Sequence, residues 1–279
     1  MYKYCISKKI VKNPLRFVNK IIISNIDYSS ALNSFLVSDS IESILKEEEY
    51  SYIEFINLNN DDVNYIINLV SDYVECVEIF NSDYDLISLG KCSRLKEVKL
   101  HSLSVSSLWN LKDNKELESL FIIDTPNLID IEGIRDASLV NFEIKKDYKT
   151  IPNVLDVKIK DFSIFKSLRN LKNLSLFILS NDNKEELNIL STLVNLEKLS
   201  LPKDYFTFED FSYLKSKLVN VSNLNAIYHV AKDPSNEKVY YIVIGKDKDD
   251  FVYYEEKDYN VYIDEYNGLV NKYKERDGK

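Results

Sequence analysis

The sequence predicts an α/β repeat fold: short parallel strands joined by helices and turns, ending in a small antiparallel sheet and a helix. Three observations predict it. A hexamer with apolar residues at its first, fourth and sixth positions keeps returning, as in LKEVKL at 95–100, LESLFI at 117–122 and LEKLSL at 196–201. Stretches with helical periodicity lie between some of the copies. After residue 225 the texture changes to β-branched and aromatic runs parted by turn-rich segments.

Residues 1–49 read as an N-terminal cap of strand and helix. VNKIIISNI fits the hexamer from Val18, and SDSIESILKEEEY is helix-like; a terminal repeat exposes an apolar face unless an atypical segment covers it. The apolar clusters here are short and interrupted by charge or proline, so no secretory segment is drawn. No run of about 20 apolar residues occurs elsewhere. A cytoplasmic protein without a membrane span is expected.

Residues 50–225 carry nine copies, beginning at Tyr50, Val74, Leu95, Leu117, Leu139, Val154, Leu171, Leu196 and Leu218. Start to start they step by 24, 21, 22, 22, 15, 17, 25 and 22 residues. Alternation along a strand points the fourth and sixth residues to one face and the third, fifth and seventh to the other. The remainder of each unit returns the chain to the next parallel strand, as a helix where room allows. In NNDDVNYIINLVSD, Asn60 or Asp61 is placed to cap, and Val63, Ile66, Ile67 and Val70 form an apolar stripe. In TFEDFSYLKSKL, Thr207 and Asp210 have capping-box spacing, with Phe211, Leu214 and Leu218 on one face. The short steps leave no room for a full helix, so a helix-free bend is expected over 139–159. With no Gly/Ser/Pro-rich linker from Tyr50 to Asn223, one cooperative body is expected.

These hexamers, most clearly Leu95/Val98/Leu100, Leu117/Leu120/Ile122, Leu171/Leu174/Leu176 and Leu196/Leu199/Leu201, resemble those of leucine-rich repeat proteins of irregular bacterial type. The resemblance implies a solenoid with parallel strands on its concave face, helices and turns on its convex face, and a role in binding proteins. One departure is plain. The family's asparagine, three residues after the sixth position, is replaced here by Leu58, Ser82, Leu103, Thr125, Asp147, Phe162, Leu179, Asp204 and Ala226. Something else must take over the work of a buried amide ladder.

Residues 226–279 read as a C-terminal cap. AIYHVA, VYYIVIG and FVYYEE give three antiparallel strands, and YNVYIDEYNGLVNKYKE a helix with Ile263, Tyr266, Val270 and Tyr273 at helical spacing; RDGK is expected to fray.

Signatures of chemistry are few. Five glycines, none closely spaced, form neither GxGxxG nor a P-loop. Cys5, Cys76 and Cys92 lack metal or redox spacing and read as structural thiols of a reducing compartment. His101 and His229 sit in no ligand motif, and the acidic runs Glu47–Glu49 and Asp247/Asp249/Asp250 read as solvated turns. No cofactor and no metal are expected. A net charge of −9 argues against nucleic acid and permits a basic protein partner.

The expected function is therefore non-enzymatic protein binding through the concave face. The side chains expected to carry it are Tyr52, Glu54, Glu78, Phe80, Glu97, Lys99, His101, Phe121, Ile123 and Phe177. Phe80, Phe121, Ile123 and Phe177 stand out because the repeat does not require large apolar residues there. An immunity or inhibitor protein facing a basic partner is one form of this function. The alternatives are an enzyme or separate binding role in the C-terminal β-rich segment, and a secreted effector or adhesin.

The pattern yields a sharp contrast between neighbours. Leu120→Ala and Leu199→Ala should each cost about 2–5 kcal/mol in denaturant melts, whereas Phe121→Ala and Glu78→Lys, at outward fifth positions, should leave stability nearly intact and weaken partner binding, the second in a salt-dependent manner. Equal losses for Leu120→Ala and Phe121→Ala would mean that the register is wrong.

Overall fold

The computed structural model describes residues 4–13, 16–25, 36–38, 41–47, 50–82, 84–145, 159–177, 183–202, 205–232, 239–245 and 256–277. By their contacts the residues fall into two compact units, Met1–Asn170 and Leu171–Lys279.

The first unit is built on one sheet. Its strands are β1 (Tyr4–Asn13), β2 (Arg16–Asn25), β3 (Leu36–Ser38), β4 (Tyr52–Ile56), β5 (Cys76–Phe80), β6 (Glu97–His101), β7 (Ser119–Ile123) and β8 (Asn141–Lys145), with helix α1 (Ile41–Glu47) before β4 and α2 (Asn60–Val70) after it. Strands β2, β4, β5, β6, β7 and β8 pair in parallel. Antiparallel β1 lies between β2 and the three-residue β3. This α/β architecture is compatible with a repeat solenoid. The β1–β2 hairpin is absent from the sequence reading, which found only the β2 hexamer in this region.

Pairing follows the hexamer without a shift. Fourth positions align as Ile21, Ile53, Val77, Val98, Leu120 and Phe142, and sixth positions as Ile23, Phe55, Ile79, Leu100, Ile122 and Ile144. All are at most 4% exposed. The return segments supply complementary buried residues, among them Leu58, Val63, Ile66, Ile67 and Val70. Asn59 caps α2 by accepting the Asp62 N–H at 2.9 Å, one residue earlier than the sequence placed the cap. The 24-residue step holds α2, whereas the 21- and 22-residue steps return through short 3-10 turns at Ile87–Lys91, Leu111–Asp113 and Glu132–Ile134.

Both ends of each strand are fixed by repeated backbone contacts. At the start, the carbonyls of Ser51, Glu75, Lys96 and Glu118 each accept two successive N–H groups from the next repeat. At the end, Asn57, Asn81, Ser102 and Asp124 adopt positive φ of 52°, 47°, 54° and 51°. Each donates its N–H to the carbonyl that closes the following strand: Phe80, His101, Ile123 and Lys145. Asn, Ser and Asp suit this position because a short polar side chain tolerates the left-handed region.

The missing asparagine ladder has a substitute. Leu58 and Leu103 fill their places with apolar bulk, and Ser82 accepts the Leu58 N–H while donating to the Phe80 carbonyl. Thr125 donates similarly to Ile123. A buried amide does occur, at a different place. Asn114 accepts from Trp109 Nε1 and donates to the Leu89 and Cys92 carbonyls, all at 2.8–2.9 Å. Beside it the backbone is so close that a Cβ on Gly133 would stand 1.9 Å from the Trp109 carbonyl oxygen.

The second unit contains β9 (Asn173–Leu176), α3 (Asn183–Ser191), β10 (Lys198–Ser200), α4 (Phe208–Lys217), β11 (Ile227–Lys232), β12 (Val239–Val243) and α5 (Glu256–Asp277). Strands β9 and β10 pair in parallel with the hexamer register retained, and Thr207 and Asp210 form the expected capping box. The ninth hexamer needs correction. Leu218 ends α4 and starts no strand. The repeat resumes at Val221, with Val221, Leu224 and Ala226 buried, 25 residues after Leu196, so both 25-residue steps hold an α-helix.

In the C-terminal segment, β11 and β12 pair antiparallel with an irregularity between His229 and Ala231. Most of FVYYEE lies outside the described residues, and its last residue, Glu256, opens α5, which runs through Asp277. Helix α5 packs on α4 through Phe208–Tyr266 and Tyr213–Tyr273 ring contacts, with Tyr266 donating to the Phe211 carbonyl at 3.1 Å. The hexamer at Val154, apart from its last residue Ile159, also falls outside the described residues.

The left-handed strand ends make a direct prediction. Asn81 is exposed, so its backbone rather than its contacts limits what it can become. Asn81→Val should lower stability by about 1–2 kcal/mol, while Asn81→Gly should be neutral or slightly stabilising, as read from urea midpoints.

Candidate functional site

The ladder that buries the fourth and sixth positions necessarily lines up the third, fifth and seventh on the opposite face. Third positions run Lys20, Tyr52, Cys76, Glu97, Ser119 and Asn141; fifth positions run Ile22, Glu54, Glu78, Lys99, Phe121 and Glu143. Phe80, His101 and Ile123 occupy successive seventh positions. Nine of the ten residues expected to bind a partner thus share one sheet face. Phe177 belongs to the other unit, half-buried just beyond β9.

Glu78 is the centre of this face. Its Oε2 accepts from the Tyr52 hydroxyl and from Lys20 Nζ at 3.3 Å, and its Oε1 pairs with His101 Nε2 at 3.1 Å. Lys20 also forms an ion pair with Glu54 and lies 4.2 Å from the Tyr52 ring centroid. The side chains of Lys20, Glu54 and Glu78 are only 12–13% exposed. His101 stacks on Phe80, with ring centroids 4.1 Å apart and planes 13° from parallel. Lys99 bonds Glu97 at 2.8 Å and sits 5.8 Å and 5.9 Å from the Tyr52 and Phe121 centroids.

Burial acts to raise the Glu78 pKa, but hydrogen bonds from His101 and Tyr52, together with Lys20 and Lys99 nearby, reverse this and hold it down to about 2. Burial, the neighbouring Cys76 and the Glu78 hydrogen bond drive the Tyr52 phenol far above its usual range. Burial first and Glu97 second do the same to the Cys76 thiol. Burial opposes the charge on Lys99, and its bond to Glu97 outweighs this and raises its pKa. Each group is held in its ordinary protonation state at neutral pH: a carboxylate that does not donate a proton, and a thiol and a phenol that do not ionise.

The acidic character expected for this face is largely neutralised within it. Glu54, Glu78 and Glu97 are paired with Lys20, with Lys20 and His101, and with Lys99 respectively. What remains for contact is an aromatic and aliphatic strip, Phe80, Phe121 and Ile123, each half-buried. The sequence reading missed Lys20, although the third position of the Val18 hexamer marked it, because that copy was read only as a cap.

Elsewhere, Cys76 and Cys92 are free and buried. Among the described residues no group of three or more His, Cys, Asp or Glu is placed to hold a metal ion, and no helix is long and apolar enough to cross a membrane. His229 lies in β11, and Asp247, Asp249 and Asp250 are outside the described residues. No family model and no curated protein matches the chain.

Glu78 therefore does not tolerate the substitution that the alternation pattern alone permitted. A lysine there would bring its ammonium beside Lys20 and Lys99, and Glu78→Lys should cost about 2–4 kcal/mol. Because the folded-state pKa lies below the ordinary 4.5, the stabilisation from Glu78 is complete above pH 4.5 and is lost as pH falls toward 2. With solvent screening allowed for, about 1–2 kcal/mol of that effect is expected. Acid titration of melting temperature should show wild type losing this advantage over Glu78→Gln between pH 4.5 and 2; parallel curves would rule out a stabilising role for the Glu78 carboxylate.

Proposed function

We propose that the chain is a non-enzymatic protein-binding scaffold of the leucine-rich repeat type, recognising its partner through the face that carries Glu78. The observation that carries this reading is the strip of Phe80, Phe121 and Ile123 on positions that the repeat does not need to fill. These side chains stand on a rigid ladder, flanked by ion pairs that are already made. Aromatic anchors on a preorganised surface contribute most of an interface's affinity, and surrounding paired charges exclude water and fix orientation.

The pairing also shapes the choice of partner. With Glu54, Glu78 and Glu97 engaged internally, the partner supplies an apolar or aromatic anchor rather than a cation for each acid. The net charge of −9 still favours encounter with a basic protein. Inhibition of a basic protein, as an immunity protein does, is the biological role that this combination fits.

The test is capture of partners on the immobilised full chain from cells that make it. Phe121→Ala and Ile123→Ser should each weaken binding of the captured protein by about tenfold or more without shifting the melting temperature by more than a few degrees. Ile87→Ser, at an exposed return position, should bind normally. Retention of the partner by both face variants would move the site elsewhere.

A further inference from the structure

The unit Leu171–Lys279 contains a groove of about 680 Å³, within the range of small-molecule sites. One wall is a single face of α5: Ile263, Tyr266, Val270 and Lys274 follow one another at three- and four-residue spacing. The other wall is the last repeat, around Leu224 and Ala226, with Lys215 reaching in from α4. Leu224, Tyr266 and Val270 are buried, so the groove has an apolar floor.

Its charge is opposite to that of the chain. The protein carries a net −9, yet among the described residues two ammonium groups line the groove and no carboxylate does. Lys215 donates to the Val221 carbonyl at 2.6 Å, which fixes its position while leaving N–H groups to give. Burial, with Lys274 close by, pulls the Lys215 pKa below its usual value. Two cations lining one groove, with no counter-charge among the described lining residues, are stabilised by an anion placed between them. Amides at Asn267 and Asn271 add neutral hydrogen-bonding groups on the α5 side.

We propose that this groove binds a small organic anion, with a carboxylate, sulfonate or phosphate head held by Lys215 and Lys274 and an apolar body lying on Leu224, Tyr266 and Val270. Every residue named for this site belongs to the unit Leu171–Lys279.

The test uses the full chain and two fluorescent probes of similar shape, anionic 1-anilinonaphthalene-8-sulfonate and neutral N-phenyl-1-naphthylamine. The anionic probe should bind saturably with one site per chain and more tightly than the neutral one, and added salt should weaken it. Lys274→Met should weaken the anionic probe by about tenfold and leave the neutral probe unchanged. Lys274 is exposed, so this variant should keep the wild-type melting temperature; Lys215→Met, which also loses the Val221 contact, serves as the second variant. Asn271→Trp should obstruct both probes. The proposal is overturned if the two probes bind equally, if the anionic probe ignores Lys274→Met, or if no saturable site appears.

Discussion

The unshifted register of the parallel ladder from β2 to β8 is the constraint on which the first unit depends. A slip of one residue would turn every side chain to the wrong face, bringing Glu54, Glu78 and Lys99 into the core and exposing the fourth- and sixth-position rows. The slip is prevented at both strand ends. A carbonyl that accepts two N–H groups fixes the entry, and a left-handed residue bonded to the next repeat fixes the exit. Between these clamps each strand is five residues long. The side chains within the strand decide what the sheet does, and the clamps decide where it sits.

An unshifted ladder also imposes a difficulty, because it places like residues opposite like. Glu54 and Glu78 are direct register partners, and like charges in that relation repel. Lys20, one strand away, pairs with both and resolves the conflict. Tyr52 and His101 then add a contact to each carboxylate oxygen of Glu78 from either side. The stack of His101 on Phe80 ties this polar cluster to the apolar strip beside it. A charged group that is largely out of water must be paired and hydrogen-bonded, and meeting that need gives the face its rigidity. The same interactions that remove a free acidic patch therefore produce a preorganised aromatic one.

Period-two alternation was legible from sequence because it repeats: a hexamer that recurs marks its own inward and outward residues, and nine of the ten expected contact residues lie on one face for that reason. Features that occur once were not. Lys20 belongs to a copy whose neighbours look like a cap, and Asn114 gains its role only when Trp109, Leu89 and Cys92 converge on it in space. The ninth hexamer was placed three residues early because Leu218 and Val221 satisfy its first and fourth positions, although Asn223 then falls at the sixth, where the register from Val221 puts the apolar Ala226. Helix termination decides between them: Leu218 donates its N–H back to Leu214 and still belongs to the end of α4. Step length carries information of its own, since steps of 24 and 25 residues form α-helical returns and those of 21 and 22 form 3-10 turns.

Strand edges also have to be managed, because a row of unpaired backbone groups recruits other strands. The first unit uses backbone for this, adding antiparallel β1 beside β2 and ending with β3, too short to template much pairing. The second unit uses a side chain beside β10. Asn223 accepts the Leu199 N–H at 3.0 Å and donates to the Leu199 carbonyl at 2.9 Å, so one carboxamide supplies the donor and acceptor that another strand would have offered. Ser222 meets the Glu197 carbonyl just before it. The chain can then leave the repeat at once, and Ala226 accepts the N–H of Ile244 after β12. An asparagine that imitates a strand lets the register end without exposing the edge that maintained it.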